Sequence, residues 1–156
     1  MKTIALFLAV SAACAGCRAR GPSPAPVPDG LTLVERLARE ARGRPTAAPR
    51  AEDVVAALSA AGVAVGPLKQ VLARTVGARY CATARTAAGL AVAVCEFGDA
   101  AQADSGLAYS RRTFDRLIPG RRLSRNRGTV LTLTPPEPEP RFETEAGRIA
   151  AVFAAL

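Results

Sequence analysis

The strongest constraint on how this chain can fold lies between Tyr80 and Phe97. Two runs rich in β-compatible residues, Tyr80 to Thr86 and Leu90 to Phe97, flank Ala87-Ala88-Gly89. Three residues ending in glycine suit a hairpin loop whose last position is left-handed. Pairing the runs symmetrically about Ala88 sets Thr86 opposite Leu90, and counting outward sets Cys81 opposite Cys95. Directly opposed residues on antiparallel strands have Cα atoms about 4.5 to 5.5 Å apart, within reach of a disulfide. The register therefore predicts a Cys81–Cys95 bond if the compartment is oxidising, or two buried thiols if it is not.

The rest of the core has to be made from small side chains. Of 156 residues, 49% are apolar, but alanine supplies much of that, with five Phe, two Tyr and no Trp. One domain with a modest core fits this length. The formal charge is +8 and most of the cations are arginine. Such a charge attracts anionic partners, whether phospholipid, acidic glycan or nucleic acid. A genome rich in G and C gives the same Arg and Ala bias with no partner at all.

The first seventeen residues have a separate logic. Met1-Lys2 is a positive start, Thr3 to Ala13 is an apolar run, and small residues then lead to Cys17. That is the layout of a secretory signal, and the run falls short of the roughly 20 apolar residues a spanning helix needs. With Ala15 and Gly16 before Cys17, the leader resembles that of bacterial lipoproteins, which are cleaved just before a cysteine whose thiol carries diacylglycerol. The resemblance covers about the first twenty residues and implies location rather than activity. It implies a signal peptide over 1–16 and a lipid on Cys17, with attachment to a membrane of the cell envelope, facing the periplasm or the cell surface. The family usually has Leu three positions before the lipidated cysteine, where this chain has Cys14. Cys14 is the competing site, with a shorter leader. Arg18 follows Cys17 where an inner-membrane retention signal would have Asp, which favours the outer membrane over the inner. The C-x-x-C spacing of Cys14 and Cys17 lies within this leader, and the chain has no His and no second pair at zinc spacing, so no metal is expected there. Processing at Cys17 would leave Cys81 and Cys95 as the two cysteines in an oxidising compartment, where pairing is expected.

Pro22, Pro24, Pro26 and Pro28 make residues 17–30 an extended tether, reaching about 40 Å at ~3.1 Å per residue. Leu31 to Arg42 places Val34, Leu37, Ala38 and Ala41 on one helical face, and Ala51 to Ala61 does the same with Val54, Val55, Leu58 and Ala61 before Gly62. Pro67 to Val76 reads as a short helix or, alternatively, a strand. Asp99 and Gln102 resemble a cap for a long helix through Ala103, Leu107, Ser110, Phe114 and Leu117, ended by Pro119-Gly120. Arg121 to Arg125 and Thr129 to Thr134 predict a second hairpin about Asn126-Arg127-Gly128, with Leu123 opposite Leu131. Residues 135–143 read as a Pro/Glu linker. Residues 144–156 read as a final amphipathic helix whose Ile149, Val152, Phe153 and Leu156 face either docks on the domain or covers a partner's groove. The expected fold is α+β over 31–134: a two-layer antiparallel sheet of about four strands, in two hairpins, with helices on one face. The element order is roughly α-α-β-β-α-β-β-α.

Catalytic chemistry is thinly provided. There is no His, no Gly-rich phosphate loop and no run of carboxylates at metal spacing, so no catalytic residue, cofactor or metal is assigned. The acidic residues Glu137, Glu139, Glu143 and Glu145 sit in a Pro-rich setting that reads as a solvated linker. The unusual polar feature is Arg111, Arg112, Arg116, Arg121, Arg122, Arg125 and Arg127, opposed within that segment by Asp115. Together they read as a candidate anion-facing patch, because the guanidinium fork bonds phosphate and carboxylate in pairs. Tyr109 and Phe114 give too little aromatic interleaving for nucleic acid. The expectation is a non-enzymatic envelope lipoprotein that binds another envelope component, a protein or an anionic lipid or glycan. The competing class is an enzyme or small-ligand-binding protein with an atypical site.

Overall fold

The computed structural model describes residues 30–46, 49–137 and 140–156. The leader, Cys14, Cys17 and nearly all of the tether lie outside the described residues. Among the described residues four helices surround a five-stranded antiparallel sheet: α1 (Leu33–Arg42), α2 (Ala51–Ala60), β1 (Lys69–Val71), β2 (Tyr80–Arg85), β3 (Ala91–Glu96), α3 (Ala100–Phe114), β4 (Arg122–Asn126), β5 (Thr129–Thr134) and α4 (Pro140–Ala154). A 3-10 turn, Ala73–Val76, joins β1 to β2. The strand order is β1-β2-β3-β5-β4, so α3 carries the chain from β3 past one place to the outer edge, and β5 returns into the gap.

The fold is α+β in the order expected from the sequence, with one strand more. The segment that read as helix or strand contains both forms: β1 pairs Lys69, Gln70 and Val71 with Thr83, Ala82 and Cys81, and the 3-10 turn follows. The β2–β3 hairpin has the register read from its loop. Cys81 opposes Cys95, and the two are joined by a disulfide with Cα atoms 4.1 Å apart. Thr86 N–H donates to the Leu90 carbonyl, and Gly89 takes a φ of 95°, the left-handed conformation glycine adopts without steric cost.

The second hairpin differs from its predicted register by one residue. Asn126 pairs with Thr129 across a two-residue turn in which Arg127 has φ 49°, and Leu123 faces Thr132 rather than Leu131. Strand alternation explains the choice. The predicted register would put Leu123 on the same face as Leu131 and Leu133, whereas the observed one puts it beside Val130 on the opposite face, which also has to be filled.

That second face is the main departure from the expected layering. Ala82, Val92, Val94, Leu131 and Leu133 form one core with Val54 and Leu58 of α2 and Phe142, Ile149 and Phe153 of α4. Cys95 and Val130, of opposite pleat parity, pack with Phe97, Ala103 and Leu107 under α3. The one-face arrangement thus holds for α2 and α4, while α3 lies on the other side. Helix α4 also begins earlier than predicted, at Pro140. Proline suits the first helical turn, so part of the predicted linker 135–143 is helix and Phe142 is core.

Helix α3 is capped as its sequence predicts, with Gln102 N–H donating to Asp99 Oδ1 at 2.8 Å. Its close seat on the sheet depends on Gly106. A Cβ at that position would stand 2.3 Å from Phe97 Cε1, 2.4 Å from Cζ and 3.0 Å from the Val76 carbonyl oxygen. Gly106→Ala is therefore expected to lower stability by about 1 to 3 kcal/mol through overpacking, despite alanine's better helix propensity. Urea unfolding checks this, and a stabilised variant would contradict the packing described.

Candidate functional site

The seven arginines of 111–127 do not share one surface. Arg122 and Arg125 are both on β4 but three residues apart, so alternation sends them to opposite faces. Arg122 pairs with Glu143 of α4, and Arg125 Nε lies 2.6 Å from Asp104 Oδ1 of α3. Arg125 Nη1 also donates to the Arg127 carbonyl at 3.0 Å, and Arg127 itself donates to the carbonyl of Leu156.

Arg121 is a structural residue. Its side chain is 6% exposed, Nη2 donates to Ser110 Oγ at 2.7 Å, and the guanidinium carbon lies 5.5 Å from the centre of the Phe114 ring. Nη1 is buried without a hydrogen-bond acceptor, with Asp115 Oδ1 at 3.6 Å. Burial pushes this guanidinium below its ordinary value and the charge of Asp115 works against that. Arg121 therefore props the end of α3 from beneath rather than facing an anion.

What remains is a corner. Arg111, Arg112 and Arg116 are exposed and make no ion pair among the described residues. Helical hydrogen bonding continues past α3, from Asp115 N–H to the Arg111 carbonyl and from Ile118 N–H to the Phe114 carbonyl. Beside these cations two large apolar side chains face solvent, Leu117 at 73% and Ile118 at 39% exposure. The helical period of the sequence extends to Leu117, but α3 ends at Phe114 and leaves Leu117 in the turn beyond it.

A second polar cluster was missed in the sequence. Glu96, at the end of β3, is 1% exposed and accepts from Arg44 Nε at 2.8 Å, Arg44 Nη2 at 2.6 Å and Ala51 N–H at 2.8 Å. Arg44 also donates to both oxygens of Glu52 and lies 4.0 Å over the Tyr80 ring. Its bonds to Glu96 and then Glu52 raise the guanidinium above its ordinary value. Thr129 Oγ1 adds a bond of 2.6 Å to the Pro49 carbonyl. Both oxygens of the buried Glu96 carboxylate are met by donors of the chain, so the cluster fastens the α1–α2 connection to the sheet. The contributing signal, a charged residue in an otherwise alternating apolar strand, was visible at Glu96. Its partner is 52 residues away.

Two clefts accompany these clusters. One, of about 490 Å3, is apolar and lies between α1 and the disulfide, lined by Leu33, Leu37, Val71, Leu72, Cys81 and Cys95 among others. Helix α1 has no buried residue and is held by polar contacts: Glu40 accepts from the N–H groups of Ala73 and Arg74, and Gln70 donates to the Leu37 carbonyl. The other cleft, about 360 Å3, lies beside α4 and contains the Arg122–Glu143 pair. Among the described residues no group of three or more His, Cys, Asp or Glu is placed to hold a metal ion, and no helix is long and apolar enough to cross a membrane. Compared with known proteins, the chain matches no family model, no curated protein and no solved structure.

Glu96→Gln removes the buried negative charge and turns one of its two acceptor oxygens into a donor facing Arg44 or the α2 N-terminus, so it is expected to cost about 3 kcal/mol. Glu52→Gln, on the exposed side of the same arginine, is expected to cost less than about 1 kcal/mol. Equal costs, measured by urea unfolding, would contradict this division of labour. Acid should act through the exposed carboxylates. Hydrogen bonding to Arg44 holds Glu52 below its ordinary 4.5, and bonds from the backbone and hydroxyl of Thr32 do the same for Glu35. A carboxylate depressed in the folded state stabilises above its unfolded pKa, and that contribution is lost as pH falls through the lower folded value. The urea midpoint should therefore fall as the pH drops below 4.5. A midpoint that rises on acidification would contradict this linkage.

Proposed function

We propose that this chain is a non-enzymatic, lipid-anchored binding module of the bacterial envelope. Residues 1–16 export it, a lipid on Cys17 holds it on a membrane, and Arg18 favours the outer one. The observation that carries the reading is the Cys81–Cys95 disulfide. Such bonds persist in oxidising compartments, and the export leader independently calls for one. The contact surface assigned to the binding role is the corner of Arg111, Arg112 and Arg116, since Arg121, Arg122, Arg125 and Arg127 are engaged within the fold. A lipid anchor confines this corner near its partner, so that the effective concentration is high and weak electrostatic contact suffices.

A second reading, a carrier of a small apolar ligand, is favoured by the apolar cleft between α1 and the disulfide. Intact mass measurement of the chain from native membranes tests the first. The expected species starts at an acylated Cys17 and lacks the two hydrogens displaced by one disulfide. A chain that retains residues 1–16 without acylation would overturn the anchored reading, and a co-isolated small apolar molecule would favour the second.

A further inference from the structure

Four of the seven arginines between 111 and 127 are neutralised or spent on backbone carbonyls, and the three that are not stand on the last turn of α3 and the turn that follows it. Arg112 and Arg116, four apart, lie one above the other with Tyr109, which is 43% exposed. Leu117 and Ile118 project from the same corner into solvent. The carboxylate nearest in sequence, Asp115, is already taken by Arg121. The corner is therefore cationic and apolar at once. Its shape is built in: Arg121 props it from beneath, and Gly120 turns with φ 76° against Pro135, where a Cβ would stand 3.2 Å from Pro135 Cγ.

We propose that this corner docks on an anionic phospholipid surface, with Leu117 and Ile118 entering the headgroup layer and Arg111, Arg112 and Arg116 bonding lipid phosphates. The two halves of the corner match the two halves of such a surface. Exposed leucine and isoleucine gain by leaving water at the acyl boundary, and guanidinium groups beside them meet phosphate oxygens in a paired geometry. An acidic protein would answer the charge but leaves two separate apolar tips without a groove to fill. This deepens the anchored reading and rests on it in one respect: a lipid at Cys17 keeps the corner beside a bilayer. A lipid-anchored domain with this corner would be held flat against its membrane rather than swinging free.

The chain contains no tryptophan, so Leu117→Trp places a single reporter at the tip. The full chain carrying it is reconstituted with vesicles of phosphatidylcholine alone, or with a quarter of phosphatidylglycerol. On the anionic vesicles the indole emission is expected to shift blue and to be quenched by brominated lipid, and on neutral vesicles to remain close to that in water. Adding Arg111→Ala, Arg112→Ala and Arg116→Ala, all on the exposed surface, should lower the docked-to-undocked ratio by about five-fold per cation, on the order of a hundred-fold together. An indole that stays in water on anionic vesicles overturns the proposal, as does one shielded only by an added envelope protein or one whose shielding survives loss of the three arginines. The reporter reads the corner and the mass at Cys17 reads the anchor, so the two readings fail separately.

Discussion

The pairing of Cys81 with Cys95 governs more of this molecule than the two strands it joins. With that register set, Val92 and Val94 face α2 and α4, while Cys95 and Phe97 face α3. Glu96 is carried to the rim of the sheet, where its carboxylate collects Arg44 and the first N–H of α2. A slip of one residue would exchange the two faces and bury the wrong set. A covalent link between opposed residues forbids that slip, which matters in a core where alanine and valine give little shape with which to specify register.

The fold is asymmetric in how firmly its parts are held. Helices α2 and α4 share a continuous apolar core with the sheet, and α3 is seated closely through Gly106. Helix α1 has no buried residue and is tied by hydrogen bonds from Gln70 and to Glu40, with an apolar cleft beneath it. Hydrogen bonds at the surface stabilise weakly compared with apolar burial, so α1 belongs to the low-stability end of the structure. The surface arginines follow the same division. Arg121, Arg122 and Arg125 are consumed in fastening helices, whereas Arg111, Arg112 and Arg116 make no ion pair among the described residues.

Local patterns made much of this legible. The Ala87-Ala88-Gly89 loop, the Asp99 cap, and the apolar periods of α2 and α4 could each be read within about fifteen residues. The failures came where a decision is made at long range. Strand β1 is three residues long, too short to show alternation, and exists because β2 offers it an edge. The register of the second hairpin was settled by the need to fill the face under α3, which no residue of that hairpin reveals alone. The arginine segment looked like one patch because sequence proximity hides strand alternation, and its carboxylate partners Asp104 and Glu143 lie on different helices. Arg44 gave no sign of its bond to Glu96, since neither charge has a periodic context.

The account stands or falls on whether those two sulfurs are joined in the protein as the cell makes it. Chain taken from native membranes, blocked with an alkylating reagent before any reduction and then digested, should yield one mass in which the peptide holding Cys81 is linked to the peptide holding Cys95. Recovery of both peptides separately, each alkylated at its cysteine, would mean that the thiols are free, and would remove both the register lock and the argument for an oxidising compartment.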